Sequence, residues 1–253
     1  MNTLQILCTM RFTPALLDQV RAVSPRVQVA QQTGHDAGEV GAALDAHPET
    51  EVLYTFDLPP DAQDRAPGLR WVQLHSAGAD HLLDHAILAS TVAVTTASGI
   101  HATPIAEYVC ASILAQRWRV PLWTHCQREA RWPEGRWGLY SRPELRDSTL
   151  GILGYGSIGR EVGRIGQAFG MRVLVLRRSA GRAKRGYTTE RTGDAVGAIP
   201  TRFYAPDALH EMLSECDYVV IAVPLTAETV HLIGLAELKA MKQTAYLVNI
   251  ARG

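Results

Sequence analysis

Apolar residues along this chain fall either into short continuous runs or into longer stretches at helical spacing, and the two kinds alternate. In the first part the runs predict strands at Leu4–Cys8, Val27–Ala30, Glu51–Tyr54, Arg70–Leu74 and Val92–Thr95. Helices are predicted between them at Pro14–Val23 and Gly38–Ala46, with Pro14 suited to a first turn. Proline clusters at Pro59-Pro60 and Ala66-Pro67-Gly68 mark loops. From Thr103-Pro104, Ile105, Val109, Ile113 and Leu114 recur at helical spacing, which predicts a long helix with an extension past Trp118 left open. A polar loop bearing Trp132, Arg136 and Trp137 is expected to follow. Then Leu150, Ile152 and Leu153 predict a strand, Val162, Ile165 and Phe169 a helix that Gly170 stops, and Met171–Leu176 a second buried strand. Past a segment rich in Gly, Arg and Thr, a helix at Asp207–Cys216, a strand at Tyr218–Val223, a helix at Ala236–Met241 and a strand at Ala245–Ile250 complete the pattern.

Alternating strands and helices imply parallel sheets covered on both faces, an α/β fold. The pattern divides into a first domain over 1–98, a hinge helix region over 99–128 and a second domain over 129–253. The segment from Ser179 to Pro206 lacks apolar periodicity and is expected to be a long surface excursion, its middle without function.

The second domain is organised around Gly154-Tyr155-Gly156-Ser157-Ile158-Gly159, which lies between a predicted strand and a predicted helix. In that context Gly154 permits a tight turn, Gly156 lets backbone approach a pyrophosphate, and Gly159 lets helix and strand pack closely. The helix start offers unpaired N–H groups and a positive dipole end to the anion. A glycine turn inside one strand-helix-strand unit points to dinucleotide binding.

Composition narrows the picture. Hydrophobic residues make up 47% of the 253 positions and charged residues 20%, the balance of a globular protein. Formal net charge is zero, which argues against nucleic acid as a partner. The four cysteines are scattered, a pattern of reduced thiols, and no signal peptide or membrane-length run is visible, so the expected location is the cytoplasm and no membrane partner is expected.

Five stretches then give the chain an identity by likeness: Ser76-Ala77-Gly78-Ala79-Asp80-His81-Leu82, the helix start Thr103–Tyr108, the glycine turn 154–159, Val223–Thr229, and Asn249-Ile250-Ala251-Arg252-Gly253. In this order they resemble the D-isomer-specific 2-hydroxyacid dehydrogenases, with the glyoxylate and hydroxypyruvate reductase branch nearest. The resemblance implies a flavodoxin-like substrate domain beside a Rossmann-type doubly wound parallel sheet. It also implies an NAD(P)-dependent enzyme that interconverts 2-oxo acids and D-2-hydroxy acids, with a small 2-oxo or 2-hydroxy acid as partner, and it leaves a homodimer open. Ser76–Ala79 is a small-residue turn whose N–H groups can cradle a carboxylate. By resemblance Ala77, Gly78 and Ala79 bind substrate there. By the same resemblance Thr103, Tyr155, Ser157, Ile158, Val223, Pro224, Leu225, Thr229, Ile250 and Ala251 join the glycines along the cofactor. Arg252 is the catalytic and substrate-binding candidate, since a guanidinium fork can hold a carboxylate and a 2-oxo group and stabilise developing alkoxide charge.

The departures carry expectations too. Where an acid commonly grips the ribose 2′-OH, about 20 residues past the first glycine, this chain has Arg177-Arg178-Ser179. Two guanidiniums favour a 2′-phosphate, so NADP is expected over NAD. In the family a catalytic His oriented by a Glu follows the Ala-Arg-Gly stretch, and these 253 residues end before either. The expectation is therefore a member truncated at its C-terminal end, with an incomplete cofactor sheet and no activity as this chain; the alternative is a non-catalytic NAD(P)-binding relative. His81 and His85, four apart, form no metal-ligand pattern, and no metal is expected. His231 reads as structural.

Overall fold

The computed structural model describes residues 3–178 and 188–252. Ser179, expected near the cofactor, and Gly253, the last residue of the resemblance stretch, lie outside the described residues. The chain forms two compact units, residues 1–98 and 99–253.

The first unit holds β1 (Leu4–Cys8), α1 (Pro14–Arg21), β2 (Val27–Gln31), α2 (Ala37–Ala46), β3 (Val52–Thr55), α3 (Ala62–Arg65), β4 (Trp71–Leu74) and β5 (Ala93–Thr95). Its five strands pair in parallel in the order β2-β1-β3-β4-β5, the flavodoxin-like arrangement. Thr13 caps α1 and Asp36 caps α2, each accepting a backbone N–H from the first turn. Leu7, Leu53, Val72 and Leu74 pack with Val40 and Leu44 of α2 in one buried core.

The second unit holds α4 (Ala102–Arg117), α5 (Val120–Arg128), α6 (Arg136–Tyr140), β6 (Thr149–Leu153), α7 (Ser157–Ala168), β7 (Arg172–Leu176), β8 (Arg202–Tyr204), α8 (Leu209–Glu215), β9 (Tyr218–Ile221), α9 (Leu235–Ala240) and β10 (Tyr246–Asn249). Its parallel sheet runs β10-β9-β6-β7-β8. With β6 as first strand, this order covers five of the six strands of the Rossmann arrangement. Every residue of the central β6 is buried. One face packs on α4 and α7 through Ala106, Val109, Ile113 and Val162; the other packs on α8 through Met212 and Leu213.

Three expectations need correcting. The tryptophan-bearing loop contains the helix α6, whose five residues are too few to show a helical period. The helix from residue 102 does not run past Trp118: it ends at Arg117, Arg119 adopts a left-handed conformation (φ 52°), and α5 starts afresh. Pro121 explains the break, because its ring would clash with the carbonyl of Arg117 in a continuous helix. The segment between β7 and α8 is not a bare surface excursion either. Its described part contains β8, parallel to β7, and a loop fastened to α7 by buried charged groups. A three-residue strand is too short to show a period, and buried polar anchors leave no apolar pattern.

Candidate functional site

The glycine turn is built at the carboxyl end of β6. Gly154 has φ +96°, a left-handed conformation that favours glycine, and its N–H donates to Leu176 O at 3.0 Å. A Cβ there would sit 2.8 Å from Ala222 O and 3.0 Å from Val223 Cγ1, so the turn lies against the loop that leaves β9. A Cβ on Gly159 would come 2.2 Å from Gly154 O, which shows how closely α7 approaches the turn. Gly156 differs: it is extended, and a Cβ on it would meet nothing within 4 Å. Arg160 N–H closes onto Gly156 O at 3.0 Å, leaving the N–H groups of Ser157, Ile158 and Gly159 as the open donors of the helix start. Open space, donors and the positive end of a helix dipole together fit a pyrophosphate. The side chains of Tyr155 and Ile158 point elsewhere. Tyr155 is buried and donates its hydroxyl to Asp194, and Ile158 packs against the core.

Two further predicted stretches meet at the carboxyl ends of β9 and β10. Val223, Pro224, Leu225, Thr229, Ala251 and Arg252 line one groove of about 220 Å³. The Thr229 hydroxyl is spent on shaping its own loop, donating to Pro224 O at 2.5 Å and accepting Thr226 N–H at 2.8 Å. Ile250 is half-buried against the core, its N–H on Ile221 O. Asn249, which sequence reasoning did not single out, brackets the arginine: its Oδ1 accepts Ala251 N–H and its Nδ2 donates to Arg252 O, both at 3.0 Å. His231, read as structural, also lines this groove and has φ 54°. Thr103, in the first turn of α4, does not line it.

The paired arginines after β7 are not equivalent. The Arg177 guanidinium lies 3.6 Å over the Phe203 ring, and its Nε is buried without a partner. Among the described residues that guanidinium makes no ion pair and no hydrogen bond. Arg178 is 80% exposed and stands 3.8 Å from Glu228 Oε1. Donation from the Thr226 hydroxyl holds the Glu228 carboxyl below its ordinary range, aided by its own backbone N–H and by Arg178. An acid does reach the end of β7, but from a loop some 50 residues away, where local sequence gives no sign of it.

In the first unit, Ser76 Oγ donates to Gly78 O at 2.6 Å and Ser76 O accepts Ala97 N–H at 2.9 Å, which fixes the turn after β4. Among the described residues the N–H groups of Ala77, Gly78 and Ala79 donate no hydrogen bond, so they can receive a carboxylate. Just ahead, the Tyr54 hydroxyl meets His75 Nδ1 at 2.8 Å. Nε2 of His81 lies 3.1 Å from Phe56 O, and Nε2 of His85 lies 3.2 Å from Pro59 O. Both histidines fasten loops, and no cluster of three potential metal ligands occurs among the described residues. Nor is any helix there long and apolar enough to cross a membrane.

Two parallel sheets with helices on both faces, one carrying an open glycine turn at a helix start, define a nucleotide-binding α/β protein. Comparison with known proteins takes this further. Residues 110–253 match the model of the D-isomer specific 2-hydroxyacid dehydrogenase NAD binding domain. The chain belongs to that family. It is 38% identical over 212 residues to a glyoxylate reductase of Aeropyrum pernix, covering 81% of this chain and 59% of the relative. It is 35% identical over 196 residues to the glyoxylate reductase of Thermococcus gammatolerans, covering 75% and 54%. A family protein of known structure from Aeromonas salmonicida superposes with a TM-score of 0.76 at 26% identity, covering all of this chain and 74% of that one. The chain thus spans little more than half the length of the curated relatives it matches.

Proposed function

We propose that this chain carries the substrate and cofactor units of an oxidoreductase that interconverts 2-oxo acids and D-2-hydroxy acids, of the glyoxylate and hydroxypyruvate type. The observation that carries the reading is the groove that gathers Val223–Thr229 and Ala251-Arg252, with the glycine turn against the start of the same loop. The similarity to two glyoxylate reductases supports the substrate class. When bound, a nicotinamide dinucleotide supplies or accepts hydride. The chain's own residues bind and orient. Open N–H groups at the start of α7 hold the pyrophosphate, and Gly156 leaves it room. Val223, Pro224 and Leu225 exclude water along the groove. Arg252, fixed by Asn249, orients the 2-oxo acid and offsets charge growing on its oxygen. In the first unit the N–H groups of Ala77, Gly78 and Ala79 receive a carboxylate. The two arginines after β7 support NADP over NAD, with Arg178 the freer partner for a 2′-phosphate. The free thiols support a reducing cytoplasmic setting. Trp132 and Trp137, 80% and 79% exposed, support self-association as a homodimer, which sedimentation tests.

These 253 residues hold no histidine where the family's proton donor follows the Ala-Arg-Gly stretch. A positioned acid contributes about 10²–10⁴-fold, so the chain as given should bind cofactor yet turn over near background. The test is NADPH oxidation with glyoxylate and hydroxypyruvate, beside a titration with NADPH. It is repeated after the chain is fused to the part of the Aeropyrum pernix relative beyond its match. Binding without turnover that becomes turnover in the fusion supports the reading. Binding with no turnover in either would make the chain a nucleotide-binding relative without catalysis. Turnover by the chain alone at roughly 1 per second or more would overturn the expected inactivity.

A further inference from the structure

We propose that Asp194 is the positioning residue for the adenosine end of the cofactor site, acting through Tyr155 and Phe203 on the guanidinium of Arg177. The proposal rests on the dinucleotide reading above and adds to it a device outside the glycine turn.

The loop over residues 188–200 has no regular structure, and only at Thr201 does backbone pairing with β7 begin, through Val173 O. Buried charge holds it instead. Asp194 Oδ1 accepts Gly197 N–H at 3.0 Å and Ala198 N–H at 2.9 Å. Its Oδ2 accepts Ile199 N–H at 3.0 Å and the Tyr155 hydroxyl at 2.7 Å. Four donors satisfy a carboxylate that is almost fully buried. The residue beside it is tied as well, since Gly193 N–H donates to Glu161, which is 1% exposed and also receives both Nε and Nη2 of Arg164. Arg160 donates to Asp194 O and stacks its guanidinium 4.8 Å over the Tyr155 ring. All the anchors on the far side, Tyr155, Arg160 and Glu161, belong to the glycine turn and the first turns of α7. A loop that is irregular in sequence is thereby locked to the segment that presents the pyrophosphate donors.

The lock continues to the end of β7. The Tyr155 ring meets Phe203 of β8 edge to face, centroids 6.1 Å apart at 78°. Phe203 in turn carries the Arg177 guanidinium, while Arg177 N–H pairs with Tyr204 O. Arg177 stands where this fold receives the adenosine ribose. A half-buried guanidinium with no anion among the described residues, lying over a ring, suits a purine nucleotide: it stacks on a base and donates to a phosphate. Freed from that ring, Arg177 would lose the pre-organisation that makes binding cheap in entropy. The Tyr155 hydroxyl is the direct side-chain contact between the Asp194 carboxylate and this stack, so it is the point to cut.

The test measures calorimetric binding of 2′,5′-ADP and NADPH to the 253-residue chain and to Tyr155→Phe, Asp194→Asn, Arg177→Ala and the Asp194→Asn/Arg177→Ala double variant. Tyr155→Phe removes one hydroxyl and keeps the ring, so it decides the matter if Asp194→Asn does not fold. Each of the two conservative variants should weaken 2′,5′-ADP about tenfold, and the double variant should bind no more weakly than Arg177→Ala alone, because interacting residues are non-additive. A purely structural role would give losses that add to that of Arg177→Ala. Additive losses, or wild-type affinity in Tyr155→Phe, would overturn the proposal. If the unmutated chain binds neither ligand, the dinucleotide reading itself falls, and this inference with it.

Discussion

Replacing Gly156 by alanine is expected to separate cofactor binding from folding, because the protein leaves the added methyl group open space and the proposed pyrophosphate would occupy that same space. Gly156 is extended at φ −80°, and its Cβ would meet no atom within 4 Å. The folded state therefore loses only what alanine costs against glycine at a helix N-cap, about 1 kcal/mol or less. For a unit of this size that shifts Tm by roughly 2–4 °C. Binding is another matter. A phosphate oxygen must come within about 2.9 Å of an N–H to be held, whereas carbon keeps its neighbours at about 3.5 Å or more. With the pyrophosphate on the donors of Ser157 and Ile158 as proposed, an added methyl group on the preceding residue competes for the same open space and is expected to hold the phosphate off both. Two hydrogen bonds to a charged group are worth about 1.5–3 kcal/mol each. Together that is roughly 3–6 kcal/mol, or about 10²–10⁴-fold in Kd. NADPH fluorescence titration beside a thermal melt reads the two effects on one sample. Gly159→Ala is the contrasting variant: its Cβ would lie 2.2 Å from Gly154 O and 3.1 Å from Ile152 Cγ2, so it should unsettle the fold itself. A Gly156→Ala protein that melts normally and binds NADPH within about twofold of the unmutated chain would refute the placement of the pyrophosphate.

Four other outcomes are expected. Gly151→Ala drives a Cβ to 2.4 Å from Cys216 Sγ and 2.9 Å from Met212 Cε in a buried core; overpacking of this kind costs about 1–3 kcal/mol, visible as a lower urea midpoint. Arg252→Ala should weaken oxamate binding at least tenfold while Arg252→Lys restores part of it, and equal affinity in all three would remove Arg252 from the site. Arg178→Glu should erase a preference for NADPH over NADH, and salt should erode that preference in the unmutated chain; a ratio insensitive to both would count against a 2′-phosphate contact. Acid should destabilise the second unit. Burial works to raise Asp194, but donation from Ile199, Tyr155, Ala198 and Gly197 outweighs it and holds the carboxyl low, while His210 and the Gly234 N–H pull Glu237 down to about 2. Groups depressed on folding stabilise above their unfolded pKa and lose that contribution as pH falls through the folded value. Tm should therefore be flat above about pH 5 and fall from about 4 towards 2, less steeply in Asp194→Asn, and a Tm that stays level to pH 2 would contradict the assignment.

While it passed over the short α3 and α6 and the separate start of α5, the sequence by itself determined the α/β class, the family, every described strand but β8 and the longer helices. Those features are local: an apolar run such as Leu150–Leu153, a glycine turn with fixed spacing, a proline at a helix start. Each is written in neighbouring residues, so chain order suffices to read it. The tertiary structure decided which residues meet. Tyr155 and Asp194 are 39 positions apart, and nothing near either one names the other. Arg177 and Arg178 look alike in sequence, yet Phe203 takes one and Glu228 approaches the other. The strand Arg202–Tyr204 exists because β7 offers its edge and Tyr204 finds burial beside it, and not because three residues carry a strand signal. Long-range packing and the burial of charge are properties of the assembled sheet, where a carboxylate such as Asp194 finds donors on segments that chain order keeps apart.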